Sequence, residues 1–349
     1  MGRMLRLPRR HGRTAEHRAG ATRRRALWAL LVAAALAVTA CDDEAPRSPG
    51  SPDAQSTAAG LTLSGSWPLT GLAATGASPR HPVMVVKIDN SVSSSPQLGL
   101  SHADLVTEEL VEGGSTRLAA FYYQHVPRRV GPVRSMRATD IGIVRPADAV
   151  LVAAGGAPPT VKRIRAAKIK TYGEGAPGFA RDTSRIAPYN LFVDLSKLAR
   201  TVKADRTPGS YLPWGSGKDL PKGQPARGLS AVFSGAHTTT WRFADGRYTN
   251  LNTFAAKGDE FRPETVLVLR VRVGDAGYLD PAGNPVPETR FTGTGKALVF
   301  HDGRLVRGTW KKKLDSPIRL STGSGDLRLP PGHVWIELVP VSGRVSVTN

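Results

Sequence analysis

Short apolar runs rich in β-branched side chains recur along the chain, each bounded by Gly, Pro, Asn or Asp. Runs of this kind predict strands. The stretch 81–88 (His-Pro-Val-Met-Val-Val-Lys-Ile) reads as a buried strand that ends in a turn at Asp89-Asn90. A loop is expected over 91–99, and strands over 105–111 and 118–124. Gly113-Gly114 supplies the turn between these two strands, since positive φ costs glycine little. The segment 130–135 predicts a further strand, at an edge because Pro132 has no N–H to give. Asp140 to Val144 opens a helix that Pro146 interrupts, and 149–154 is another apolar strand, stopped by Gly155-Gly156. Over 160–169, Val161, Ile164 and Ala167 fall at helical spacing opposite lysines and arginines, which predicts an amphipathic helix.

Beyond a Pro-, Gly- and Lys-rich span at 207–228 the pattern is almost wholly strand: 231–233, 241–243, 265–273, 296–300, 305–310 and 334–340. His301-Asp302-Gly303-Arg304 is a hairpin turn between two of these. The expected fold class is therefore α+β. An N-terminal mixed α/β-sheet domain at 63–206 is followed, across a linker at 207–228, by a smaller mainly-β domain at 229–349.

The first residues follow another logic. Arg23-Arg24-Arg25 precedes an apolar run of about thirteen residues, 26–38, and then Val38-Thr39-Ala40-Cys41. A basic region, a short apolar region and small residues before a cut site define a secretory signal peptide, here 1–40. The run falls short of the roughly twenty residues that a spanning helix needs. A cysteine directly after the small-residue site resembles a bacterial lipobox, so Cys41 is expected to carry lipid and to become the mature N-terminus. The polar, aperiodic stretch 41–62 cannot form a core and is expected to be a disordered tether. The protein is thus placed at the cell membrane, lipid-anchored on its extracytoplasmic face. Cys41 is the single cysteine of the chain, so no disulfide framework and no cysteine-ligated zinc site can exist.

The formal charge is +20 over 349 residues. Residues 1–40 hold nine arginines and one glutamate, so the remainder carries 39 basic and 27 acidic side chains, a net +12. That balance suits an anionic partner such as lipid headgroups or an acidic envelope polymer. Nucleic acid fits less well, because the chain carries an export signal and its basic residues are not interleaved with aromatics.

Familiar catalytic constellations are missing. There is no His-Glu-x-x-His, no Gly-x-Ser-x-Gly and no Ser-x-x-Lys. Thr292-Gly293-Thr294-Gly295-Lys296 lacks the leading glycine of a phosphate loop, position 290 being arginine, and no helix pattern follows it. No two histidines stand at ligand spacing, and no cofactor motif is present, so neither a metal nor a cofactor is expected. His102 and His125 read as surface or cap residues, Trp310 and Trp335 as core aromatics.

What remains is the stretch 101–137, where Glu108, Glu109, Glu112, Arg117, Arg134 and Arg137 crowd into sequence that otherwise looks like buried sheet. Ionised groups are costly to bury unless paired. In an extended strand Glu108 and Glu112 share a face while Glu109 takes the other. Over four residues they lie roughly 13 Å apart, too far for the 5–9.5 Å or so of a glycosidase carboxyl pair. Any acid/base partner must come from elsewhere, with Asp89 and Asp140 the nearest candidates by position.

Three readings follow. In the first, the acids and arginines form a structural ion-pair network. The second makes the protein a non-enzymatic cell-envelope binding protein for an anionic or peptide-like ligand, with Arg117, Arg134 and Arg137 facing the anion and Asp89, Asn90 and Glu112 orienting them. The alternative is an enzyme acting on an envelope polymer through Glu108 or Glu112 paired with Asp89 or Asp140.

Several motifs in order resemble the YerB-like family of bacterial lipoproteins. They are Lys87-Ile88-Asp89-Asn90, Pro96-Gln97-x-Gly99-Leu100, Ala103-Asp104-Leu105-Val106, Val111-Glu112-Gly113-Gly114-x-Thr116-Arg117 and Gly131-Pro132-Val133-Arg134-Ser135-x-Arg137. Gly155-Gly156, Arg185-x-Ala187-Pro188-x-Asn190-Leu191, Gly308-Thr309-Trp310 and Pro331-Gly332-x-x-Trp335-Ile336 extend the match. The resemblance implies a two-domain extracytoplasmic protein behind a lipobox and implies no known reaction. Two departures stand out: Ser94-Ser95 replaces a common Ala-Arg, and Met136 replaces a small residue.

Overall fold

Val334–Pro340, Val-Trp-Ile-Glu-Leu-Val-Pro, is the strand about which the molecule is built, and all of its residues are buried. Burial on both faces explains why it reads as a nearly continuous apolar run. On one side it pairs in parallel with Thr265–Leu279, and on the other in parallel with Leu105–Leu110. Strands from the two ends of the chain therefore meet in one sheet.

The computed structural model describes residues 65–74, 77–281 and 283–349. The expected signal peptide, Cys41 and the tether at 41–62 lie outside the described residues. The large sheet runs, in spatial order, Gly325–Leu327, Arg319–Thr322, Arg304–Lys312, Gly293–His301, Thr265–Leu279, Val334–Pro340, Leu105–Leu110, Thr116–Tyr122, Met84–Asn90, Val150–Val152 and Thr171–Tyr172. The predicted hairpin at 301–304 closes the pair Gly293–His301 and Arg304–Lys312.

One face of this sheet is covered by a four-stranded antiparallel sheet made of Arg247–Asn250, Thr238–Ala244, Gly228–Val232 and Arg344–Thr348. Between the two sheets pack Val86, Val106, Leu118, Leu229, Trp241, Val268, Phe300 and Trp335. On the opposite face Val85, Leu105, Phe121, Leu151, Leu267, Trp310 and Ile336 form a second apolar layer under Ile143, Ile164 and Tyr211. Trp310 and Trp335 are core aromatics, as read from the sequence.

The protein is mostly sheet. Its α-helices among the described residues are short: Asp140–Val144, Pro158–Ala166 and Leu195–Thr201. The first begins where the sequence placed it. The second starts two residues earlier than expected, with Pro158 at a position where its missing N–H costs nothing. Leu195–Thr201 was not anticipated. It is capped by Asp194, whose carboxylate accepts from the Lys197 N–H at 3.0 Å.

Two expectations are corrected. Residues 130–135 form no ladder strand; Val130, Gly131 and Val133 make isolated bridges to Val193, Leu98 and Ile88, and Pro132 breaks any continuous pairing. Glu112 is not on the Leu105–Leu110 strand; it opens a one-turn helix, Glu112–Gly114, and turns away from Glu108. In the span 207–228 Tyr211 and Leu212 are buried, and Gln224–Pro225 pairs with Arg304 and Leu305.

Candidate functional site

Side-chain alternation along Leu105–Leu110 sends Glu108 and Glu109 to opposite faces of the sheet. Both are fully buried, and each meets its own set of partners.

On the helical face, Lys87 Nζ lies 2.6 Å from Glu109 Oε1 and 2.7 Å from Asp140 Oδ1, and all three side chains are shielded from solvent. Lys87 reaches Glu109 from two strands away, across the intervening Thr116–Tyr122. Asp140 comes from the first turn of its helix, where Oδ2 accepts from the Arg137 N–H at 2.6 Å. Burial pushes the Glu109 carboxyl up. The Lys87 ammonium opposes that shift and the nearby Asp140 adds to it.

The arginines stand on the same face, nearer the sheet's end. Arg117 lies opposite both Asp89 and Glu109 in the ladder. It makes no ion pair among the described residues, and its Nη1 donates to Ser135 O at 3.0 Å. Arg134 Nε sits 3.2 Å from Asp89 Oδ2, while its guanidinium stacks 4.8 Å from the Tyr189 ring centroid. Arg137 donates from Nε to Glu112 Oε2 at 3.1 Å and also from Nη2. Burial lowers the Arg117 pKa to about 10, and the charge of Arg137 contributes, against the pull of Asp89 and Glu112. Arg117 Nε and Arg134 Nη1 are buried without an acceptor. On this face four cations, Lys87, Arg117, Arg134 and Arg137, thus meet four carboxyl groups, Asp89, Glu109, Glu112 and Asp140.

On the other face Glu108 is surrounded by donors. Its Oε1 accepts from Thr116 Oγ1 at 2.7 Å, His237 Nε2 at 2.8 Å and Asn90 Nδ2 at 3.0 Å, and Thr239 Oγ1 lies 3.0 Å from both carboxylate oxygens. Glu337 is directly opposite Glu108 in the parallel ladder and accepts from Trp241 Nε1 at 2.7 Å. Both carboxyl groups are wholly buried. Burial and the charge of Glu108 push Glu337 well above the usual carboxylate range. Burial alone would raise Glu108 as well; the hydrogen bond from His237 and the others outweigh it, and Glu108 is held low.

His237 arrives through a turn that the diglycine anchors. Gly114 has φ +70°, and its carbonyl accepts from Ser234 Oγ at 2.5 Å. A Cβ at Gly114 would lie 2.9 Å from that oxygen. Ser234 Oγ in turn accepts the N–H groups of Ala236 and His237.

The structure therefore gathers Asp89, Glu112, Arg117, Arg134, Arg137 and Asp140 on one face and sends Asn90 and Glu108 to the other. Asn90 Oδ1 accepts from Gln97 Nε2 at 3.1 Å, and Gln97 also holds the Asp89 carbonyl at 2.6 Å. The loop that carries Gln97 is fixed by Arg185, which donates to Ser94 O and Pro96 O. Every acid put forward as a catalytic candidate is engaged: Asp89 by Arg134, Glu112 by Arg137, Asp140 by Lys87 and Glu108 by its four donors. Lys87, His237 and Glu337 were missed. Lys87 and Glu337 had a signal, each being the one ionisable residue inside an otherwise apolar strand run; His237 had none.

Comparison with known proteins places this arrangement in a lineage. Residues 69–208 match the family model described as "Protein of unknown function (DUF3048) N-terminal domain", and 229–336 match its C-terminal counterpart. The chain is 25% identical over 301 residues to "Putative lipoprotein YerB" of Bacillus subtilis (strain 168), covering 81% of this chain and 88% of the relative. The chain belongs to the YerB-like family. The crystal structure of the Bacillus subtilis YerB protein superposes with a TM-score of 0.68 at 20% identity, over 80% of this chain and 99% of that one. The YerB-like fold is thereby shared. Residues 87–140, which carry most of both buried clusters, lie within the matched N-terminal span, and Glu337 lies just past the matched C-terminal span. Among the described residues no helix is long and apolar enough to cross a membrane.

Proposed function

We propose that this protein is a lipoprotein anchored through Cys41 to the extracytoplasmic face of the cell membrane, and that it binds an anionic or peptide-like envelope ligand. The arginine end of the sheet would be the binding surface. The observation that carries this reading is the set of guanidinium N–H groups left without acceptors. Asp89 and Glu112 pair with Arg134 and Arg137, Arg117 has no ion pair among the described residues, and buried N–H groups on Arg117 and Arg134 lack acceptors. A carboxylate or phosphate oxygen is the acceptor such groups take best. The side chains of Arg134 and Arg137 are 19% and 11% exposed, enough for an edge-on contact without a deep pocket. Asp89 and Glu112 would hold the guanidinium planes in place, and Tyr189 would keep Arg134 flat.

The test is binding of the full chain to purified cell-wall polymer and to anionic lipid vesicles, comparing wild type with the double variant Arg134→Ala, Arg137→Ala. Binding should fall at least tenfold, with the folded near-ultraviolet spectrum retained. Undiminished binding by the folded double variant to every one of these partners would reject the proposal.

A further inference from the structure

At the other end of the Met84–Asn90 strand, about 20 Å from the arginine cluster, a cleft of about 900 Å³ opens between the segment 78–81 and the Leu195–Thr201 helix with its downstream residues. Its floor is apolar, formed by half-buried Val126 and Ala199 with Val202 behind them. Its rim is basic: Arg80, Arg200 and Lys203 are exposed and make no ion pair among the described residues. Arg206 also lines the cleft but is occupied by Asp148. No acidic residue lines it at all. Small-molecule sites are concave, largely apolar and ringed by a few polar groups, with volumes of roughly 300–1,000 Å³.

We infer that this cleft is a second binding site, for a single-chain amphiphile that carries a phosphate or carboxylate. The apolar floor would take the chain, since removing apolar surface from water is favourable. The three free cations would take the head. Neither part is sufficient alone. The exposed cations are screened at physiological salt, so an inorganic anion gains little there, while a neutral chain leaves the rim without counter-charge. The site is separate from the arginine cluster and does not rest on the function proposed for it.

The experiment uses the full chain in phosphatidylcholine nanodiscs, which occupy the lipid anchor with a zwitterionic surface. Decyl phosphate, inorganic phosphate and decanol are titrated by calorimetry against wild type, Arg200→Glu/Lys203→Glu and Ala199→Trp. Decyl phosphate should bind at least tenfold tighter than either inorganic phosphate or decanol. The charge reversal should weaken it at least tenfold, and the tryptophan, which fills the floor without changing charge, should do the same. A parallel arm replaces part of the nanodisc lipid with phosphatidylglycerol. Loss of soluble probe binding in that arm assigns a membrane lipid as the source of the head group, and unchanged binding assigns a free amphiphile. Decyl phosphate that binds no better than inorganic phosphate, or that is indifferent to both variants, overturns the inference. So does the absence of any binding, which would mean that the chain's own residues fill the cleft.

Discussion

Lys87 carries more of this fold than any single residue of the arginine cluster. Its ammonium sits between two wholly buried carboxyl groups. Breaking such a group from one side leaves uncompensated buried charge and costs about 3–5 kcal/mol. Lys87→Met should therefore lose about that much in urea unfolding, and replacing Glu109 and Asp140 by Gln and Asn in the same chain should recover part of it. A loss under about 1 kcal/mol for the single variant would contradict this account. Asp104 makes a different prediction. Its Oδ2 accepts the N–H groups of Tyr123 and Gln124, yet burial raises its carboxyl to about 6. A carboxyl raised in the folded state favours folding below its unfolded value, near 3.8, and loses that contribution as pH rises through 6. Two units amount to about 3 kcal/mol. The stability difference between wild type and Asp104→Asn should shift by about that much, against the wild type, between pH 4 and pH 7.

At the scale of elements, the parallel contact of Leu105–Leu110 with Val334–Pro340 is where burial and charge conflict most directly. Two strands lined by apolar residues present Glu108 and Glu337 to each other in register. The contact holds because Glu337 is pushed toward its neutral form and because Thr116, Asn90, His237 and Thr239 converge on Glu108. Glu337, raised by burial and by Glu108, favours the fold while protonated and ceases to do so as pH rises through its elevated value. Glu337→Gln keeps a donor toward Glu108 without a titrating proton. Its denaturation midpoint should fall less steeply than the wild type's as pH rises above the ordinary carboxylate value, and parallel curves would argue that folding does not raise the Glu337 carboxyl. The glycine turn is a second test at this scale. Gly114→Ala forces a side chain to φ +70° and into Ser234 Oγ. It should cost about 1–3 kcal/mol and shift the His237 ring resonances, since the same serine holds the turn that delivers His237.

For the whole molecule, the consequential fact is that the sheet does not stop where the sequence pattern changes. Leu105–Leu110 has Val334–Pro340 as its neighbour, so the N-terminal stretch alone would expose a long apolar edge, an aggregation hazard in any strand protein. Excised 65–206 and 229–349 are expected to be unfolded or aggregated separately, and the intact chain should melt in one cooperative transition by calorimetry. Two resolved transitions would show that the halves are independent. Cleavage of the chain within 207–228 should likewise leave the halves associated, because Tyr211, Leu212 and the Gln224–Pro225 bridge tie that span down.

The sequence by itself determined most of the long buried strands, the turns at 113–114 and 301–304, and the family. Local periodicity marks a buried strand such as Met84–Asn90, and the motifs from Lys87 to Arg137 are contiguous enough to identify a lineage. It also marked the acids and arginines as out of place in a core. Only the tertiary structure decided whom they meet, because pairing partners in a sheet are set by topology and not by nearness along the chain. Glu108 finds Glu337 and His237 from more than a hundred residues away, and Glu109 finds Lys87 across an intervening strand. The distance estimate along an extended chain rightly separated Glu108 from Glu112, but it rested on a strand that ends at Leu110. The diglycine turns Glu112 over to Arg137. Strand alternation sorts Glu108 from Glu109, and the turn after Leu110 brings Glu112 to the arginine side.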